Sequence, residues 1–214
     1  MSLSEQTQKL TQDFITSQSS ENQAIIKSAF TEIAEAGFGV NALKAGEQAK
    51  LFTLPNTKGG QTALSDLLSE GPVVISFYRG GWCPFCNLEF KALSDALPAI
   101  KKAGAKLVGV SPELPDNSMS TVEQHKLEFE VLSDVGNQIA RDYGLVMDVP
   151  ECLRPLYLQW GLDVPACNGD DTWELPIPAT YVIDGSCNIV LAYVNANYTE
   201  RLEPDEILKA LETI

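Results

Sequence analysis

The sequence holds a single histidine, His125, no excess of basic residues and no long apolar run, and each shortage narrows what the chain can do. One imidazole cannot build a histidine-rich metal centre, and His125 lies among polar residues of a helix-patterned segment, which suits a surface position better than a catalytic base. Fifteen Lys and Arg against 29 Asp and Glu leave a net charge of −14, which argues against nucleic acid or an anionic membrane surface as partner. No stretch approaches the length of a membrane-spanning helix. The polar N-terminal stretch lacks the apolar segment of a secretory leader, so none is expected. Five cysteines, an odd number in a chain this long, are not a disulfide framework and fit a reducing compartment, with the cytoplasm as the expected location. There is no internal repeat and no low-complexity tract.

What is present is a globular composition, 44% hydrophobic and 21% charged, in a chain long enough to bury a core. It reads as a helical N-terminal extension, 1–45, and one domain, 46–214. In the extension, Ser20-Glu21-Asn22-Gln23 has capping-box spacing, and Ile26, Ala29, Phe30 and Ile33 follow at helical intervals. Leu10, Phe14 and Ile15 mark an earlier helix. Both are expected to pack on the domain, and their apolar stripe could serve a homodimer. From Gly46 the pattern predicts a short strand over 49–54, a turn at Pro55-Asn56 and a helical turn over 62–68. Strands follow over 72–78, 105–111 and 131–133, with helices over 118–129 and 134–143. A short helix over 151–160 leads into a long loop with Trp160, Trp173 and Asp170-Asp171, a pair that could hold a cation but reads as solvated. Residues 179–183 and 189–194 make an antiparallel hairpin, and Glu203-Pro204 opens a last helix.

One stretch carries chemistry. Arg79-Gly80-Gly81-Trp82-Cys83-Pro84-Phe85-Cys86 joins the buried-type strand 72–78 to a helix with Leu88, Leu93, Leu97 and Ile100 on one face. Two cysteines three apart at a helix start can close one disulfide, and the unpaired N–H groups and helix dipole there stabilise a thiolate. Pro84 at an early helical position costs no hydrogen bond. The competing reading is half of a zinc site, which needs two further ligands at comparable spacing; Cys152, Cys167 and Cys187 are scattered singly. A C-x-x-C beside a βαβ pattern therefore reads as redox-active and not as a metal site.

The order β-α-β-α-β, then a hairpin and a closing helix, is that of the thioredoxin fold, a three-layer α/β/α sandwich around a central mixed sheet. In that fold a proline ahead of the first hairpin strand faces the cysteines. Here it is Pro178, and a cis peptide is expected before it. Gly46 to Leu54, Phe77 to Cys86, Val110-Ser111-Pro112-Glu113, FEVLSDVGNQIARDYG from Phe129, and Pro178 to Asp184 resemble landmarks of one family. They are similar to peroxiredoxins of the alkyl hydroperoxide reductase/thiol-specific antioxidant type. The similarity is greatest to a peroxiredoxin-like branch with R-G-x-W-C-P-x-C and Y-T-x-R-x-E-P, here Tyr198 to Pro204.

That resemblance implies a thiol-dependent peroxidase that takes hydroperoxides, needs no cofactor and is recycled by a dithiol donor such as thioredoxin. The family motif P-x-x-x-(T/S)-x-x-C, laid without gaps, puts Cys86 on the attacking cysteine, Cys83 on the hydroxyl residue and Arg79 on the proline. The thioredoxin register instead makes Cys83 the exposed nucleophile and Cys86 its buried partner. Catalysis is assigned to Cys83, Cys86 and Arg79, with Arg79 lowering a thiolate pKa unless it is merely an exposed loop residue. Trp82, as a lid on the cysteine turn, Pro178 and Arg201 are the substrate-side candidates. Because the motif's proline and hydroxyl are missing, a thioredoxin-like disulfide oxidoreductase is one alternative. A non-catalytic thioredoxin-fold binding module, using the N-terminal helices as its interface, is another. Cys152 and Cys167 could pair or serve as extra resolving cysteines, and Cys187, in the hairpin turn, reads as incidental.

Overall fold

Two helices open the computed structural model, which describes residues 1–214. α1 (Leu3–Ser17) begins on a capping box in which Ser2 and Glu5 exchange hydrogen bonds. α2 (Ser20–Glu35) is capped by Ser19, whose hydroxyl accepts from the Asn22 N–H, one residue before the expected cap. β1 (Thr53–Pro55) and β2 (Gln61–Ala63) form a small antiparallel ribbon, later and shorter than the strand expected over 49–54. Asn56 closes the turn between them by accepting from the N–H groups of Lys58 and Gly60. Then come α3 (Leu64–Glu70), β3 (Val73–Phe77), α4 (Pro84–Lys102), β4 (Lys106–Ser111), α5 (Pro115–His125), β5 (Glu130–Ser133), α6 (Gln138–Asp142) and β6 (Val146–Asp148). A single 3-10 turn, Glu151–Leu153, precedes α7 (Arg154–Gln159), α8 (Val164–Asn168), β7 (Glu174–Pro176), β8 (Ala179–Ile183), β9 (Ile189–Val194) and α9 (Pro204–Leu211).

The main sheet runs β5-β4-β3-β8-β9, with β3, β4 and β5 parallel, β8 antiparallel to β3 and β9 antiparallel to β8. This is the expected thioredoxin-like α/β architecture with a mixed sheet. Being central, β3 is buried at all five positions, which is why its sequence is a continuous apolar run and does not alternate. Everything that follows β3 in the chain starts from the middle of the core. α4 packs against both α1 and α9.

Several boundaries differ from expectation for local reasons. α5 stops at His125 because Lys126 turns left-handed, at φ 51°. α6 is only five residues long. Asn137 ahead of it is also left-handed, and the Asp134 carboxylate accepts from the N–H groups of Ile139 and Ala140. The loop expected after residue 160 contains α8 and β7, and β7 pairs with β6. A second apolar cluster holds this region together: Ile26 and Ala29 of α2 meet Val149, Leu153, Tyr157 and Leu175. These residues come from separate segments, so no single periodicity announces them.

The Ile177–Pro178 peptide is trans, against the cis bond expected. The chain makes no tight turn there: the Ile177 N–H donates to the Leu145 carbonyl at 2.6 Å, and the extended backbone runs directly into β8. No helix is long and apolar enough to cross a membrane.

Candidate active site

The segment from Arg79 to Cys83 carries the chain from the end of β3 to α4 through two glycines that leave no room for side chains. A Cβ on Gly80, whose φ is 145°, would lie 2.3 Å from Trp82 Nε1, and one on Gly81 would lie 2.0 Å from Thr121 Oγ1. The Gly81 N–H donates to Glu113 Oε2 at 2.8 Å, and Asn87 Nδ2 donates to the Gly81 carbonyl at 2.9 Å, which fixes the turn from both sides. Burial holds the Glu113 carboxyl up to about 7 in spite of that N–H. Cys83 is the N-cap residue of α4, Pro84 its first residue, and Cys86 lies in its first turn.

Neither sulfur is on the surface: Cys83 is 1% exposed and Cys86 0%. The exposed nucleophile of the thioredoxin register is therefore not seen. Cys83 instead lines an apolar cavity of about 210 Å³, together with Arg79, Trp82, Tyr157 and Tyr198. Leu10 and Phe14 of α1 complete that cavity, so the N-terminal helix covers the start of α4. Cys86 is not among the lining residues and faces the core.

Each sulfur has its own arginine. Arg79 is buried and not the exposed loop residue that was one of its readings. Its Nη2 donates to Tyr157 Oη at 2.6 Å, its guanidinium carbon lies 3.9 Å from the Tyr198 ring centroid, and its Nε has no partner. The chain's six ion pairs leave Arg79 out, so no carboxylate neutralises it. Arg201 is equally buried, and its Nη2 donates to Cys86 Sγ at 3.2 Å. Its Nε pairs with Glu89 Oε2 at 2.5 Å, and its Nη1 donates to the carbonyls of Tyr198 and Glu200. Glu89 also accepts from Ser76 of β3 and Thr180 of β8, which ties α4, the central sheet and the Arg201 loop to one carboxylate. Burial pushes Glu89 up to about 7 even against the Arg201 charge.

These surroundings split the two thiols. Burial alone would raise Cys83, but the Cys86 thiol donating to it and the charges of Arg79 and Arg201 outweigh burial and bring it down to about 6. Burial and the neighbouring Cys83 charge drive Cys86 well above the ordinary range. The two shifts favour ionisation of the sulfur facing the cavity over the one behind it.

The family model for AhpC/TSA matches residues 45–192. The chain belongs to the AhpC/TSA family. Among curated members of similar sequence, the chloroplastic peroxiredoxin Q of Sedum lineare is 30% identical over 163 residues, 76% of this chain and 75% of that one. Peroxiredoxin Bcp of Escherichia coli (strain K12) is 33% identical over 106 residues, 50% of this chain and 67% of that one. The crystal structure of peroxidoxin BcpB from Mycobacterium tuberculosis superposes with a TM-score of 0.63 at 23% identity, over 80% of this chain and 98% of that one. At that identity it speaks to the fold alone.

In this AhpC/TSA chain the structure brings Cys83, Cys86, Arg79, Trp82 and Arg201 together, with half-buried Trp82 forming part of the cavity wall. Pro178 is buried at the entry to β8 and does not line the cavity. Sequence reasoning missed Glu89, Tyr157 and the closing role of Leu10 and Phe14. The buried stripe of α4 is Cys86, Glu89, Phe90, Leu93, Leu97 and Ile100, with Leu88 only half-buried. A carboxylate at i+3 from a cysteine on an apolar stripe was the available signal for Glu89. All five cysteines are free, with Cys152 exposed, and no Cys152–Cys167 bridge is formed.

Proposed function

We propose that the chain is a thiol-dependent peroxidase in which Cys83 takes the oxygen and Cys86 resolves it, recycled by a dithiol protein of the thioredoxin type. The cavity carries this reading. It gives a small molecule a place against a thiolate that is buried in the reduced structure, which favours peroxidase over disulfide oxidoreductase. The lowering of Cys83 by Cys86, Arg79 and Arg201 also supports this reading over a binding module with ordinary thiols.

The Cys83 thiolate attacks the terminal oxygen of ROOH. The O–O bond breaks, RO⁻ takes one proton to leave as ROH, and Cys83 becomes a sulfenic acid. The Cys86 sulfur then attacks Cys83, the S–O bond breaks, and hydroxide leaves as water with the proton Cys86 gives up. Two electrons from the dithiol donor reduce the disulfide to both thiols. Arg79, a lining residue with an unpartnered Nε, and the Tyr157 hydroxyl are the hydrogen-bond donors nearest at hand for the peroxide oxygens in place of the family motif's missing hydroxyl residue. Recycling by a protein requires the oxidised pair to be uncovered, and α1 is the element above it. The five unpaired thiols suit a reducing compartment such as the cytoplasm.

Steady-state assays with a thioredoxin system test the assignment. Hydroperoxide consumption is expected to exceed insulin reduction clearly; the reverse ranking would move the chain to disulfide exchange.

A further inference from the structure

The loop after β9 brings one aromatic ring against the Arg79 charge. Asn195 Oδ1 accepts from the Asn197 N–H, and Asn197 Oδ1 accepts from the N–H and the hydroxyl of Thr199, so two side-chain turns set the backbone on either side of Tyr198. The Tyr198 carbonyl accepts from Arg201 Nη1, which anchors the same backbone to the Glu89 pair. The ring is wedged between Phe30 of α2 and Phe85 of α4, with centroids 5.1 and 6.1 Å away, and the residue is buried. Of the three rings around Arg79 it lies nearest, 3.9 Å from the guanidinium carbon against 5.2 Å for Trp82 and 5.8 Å for Tyr157. The Tyr157 hydroxyl is the only hydrogen-bond acceptor that this guanidinium meets.

A carboxylate in that place would orient Arg79 but cancel its charge, whereas an aromatic face attracts a cation and adds no negative charge of its own. We propose that Tyr198 is the positioning residue of Arg79: its ring face holds the guanidinium on the cavity wall that Cys83 shares and leaves the charge to act on that sulfur. The inference rests on the activated Cys83 of the peroxidase reading. The two arginines differ in the way this role requires. Arg201 shares its charge with Glu89 and donates to the sulfur whose ionisation is disfavoured, while Arg79 is unpaired and lies on the side of the sulfur whose ionisation is favoured.

The test is a titration of thiolate absorbance on the reduced full chain with the side chain at 198 varied. Tyr198→Leu is expected to raise the Cys83 midpoint by about one pH unit, a roughly tenfold loss of thiolate below it. Tyr198→Phe keeps the ring and the carbonyl and is expected to match the wild type. In an Arg79→Met background, Tyr198→Leu is expected to move nothing further, because the ring acts through the guanidinium. Cys86 and Arg201, the other groups that lower Cys83, are left in place by these substitutions. Should Tyr198→Leu not fold, replacing Tyr198 with phenylalanine that carries one, two or three ring fluorines keeps the packing and draws negative charge off the ring face; the midpoint is then expected to climb with each fluorine. A midpoint indifferent to leucine or to fluorination, or a shift that persists without Arg79, overturns the role of Tyr198 and leaves the activation of Cys83 standing. A wild-type protein with no lowered midpoint overturns that activation and this inference with it.

Discussion

Replacing Cys83 with serine is expected to abolish peroxide turnover, a loss on the order of 10³-fold or more, because no other group in the cavity can accept the oxygen. Cys86→Ser is expected to behave differently. It should consume one equivalent of peroxide per chain and stall, with a sulfenic acid on Cys83 that a nucleophilic trap labels and that excess peroxide oxidises further. The asymmetry follows from position: Cys83 lines the cavity with a pKa near 6, while Cys86 faces the core and is held protonated. Stopped-flow peroxide consumption and peptide mass mapping on both variants read it out. If Cys86→Ser were the dead variant and Cys83→Ser the one-turnover enzyme, the ungapped peroxiredoxin register would be right and this assignment wrong.

The second large effect concerns Arg201. Its side chain is 1% exposed and that of its partner Glu89 3%, so Arg201→Leu strands a buried carboxylate and removes the donor to Cys86. Breaking a buried pair from one side costs about 3–5 kcal/mol, which for a chain of this size is a fall in Tm of roughly 6–20 °C. The sign of the pH dependence is fixed by Glu89. Its folded pKa, about 7, lies above the unfolded value, so folding takes up a proton between the two and stability falls as pH rises through that window. Without Arg201 the carboxyl is pushed higher still. The deficit of Arg201→Leu should therefore be larger at pH 8 than at mildly acidic pH, and the double variant with Glu89→Gln should recover part of it. Thermal unfolding of the reduced protein at both pH values measures this; a Tm unchanged in Arg201→Leu would remove the pair from the account.

The parts of the molecule that the sequence disclosed are those whose signals are local. Val73–Phe77 announces a central strand by its own composition, and Cys83-Pro84-Phe85-Cys86 announces a helix start by its own spacing. The hairpin of β8 and β9 and the opening of α9 at Pro204 are legible for the same reason. Glu89 was not, because the residue that makes a buried carboxylate tolerable, Arg201, lies 112 positions away. Arg79 sits in a loop by sequence yet is buried, since rings from Trp82, Tyr157 and Tyr198 surround its charge. The β6–β7 ribbon has three-residue strands, too short for any alternation to show.

The central claim is that the sulfur facing the cavity is already ionised at neutral pH. Titrating the thiolate absorbance of the reduced wild-type protein against Cys83→Ser tests it directly, since burial raises Cys86, Cys167 and Cys187 out of the way. One thiolate per chain should appear with a midpoint near pH 6 and be absent from the variant. A wild-type protein with no ionisation below the ordinary cysteine value of about 8.5 would contradict the account.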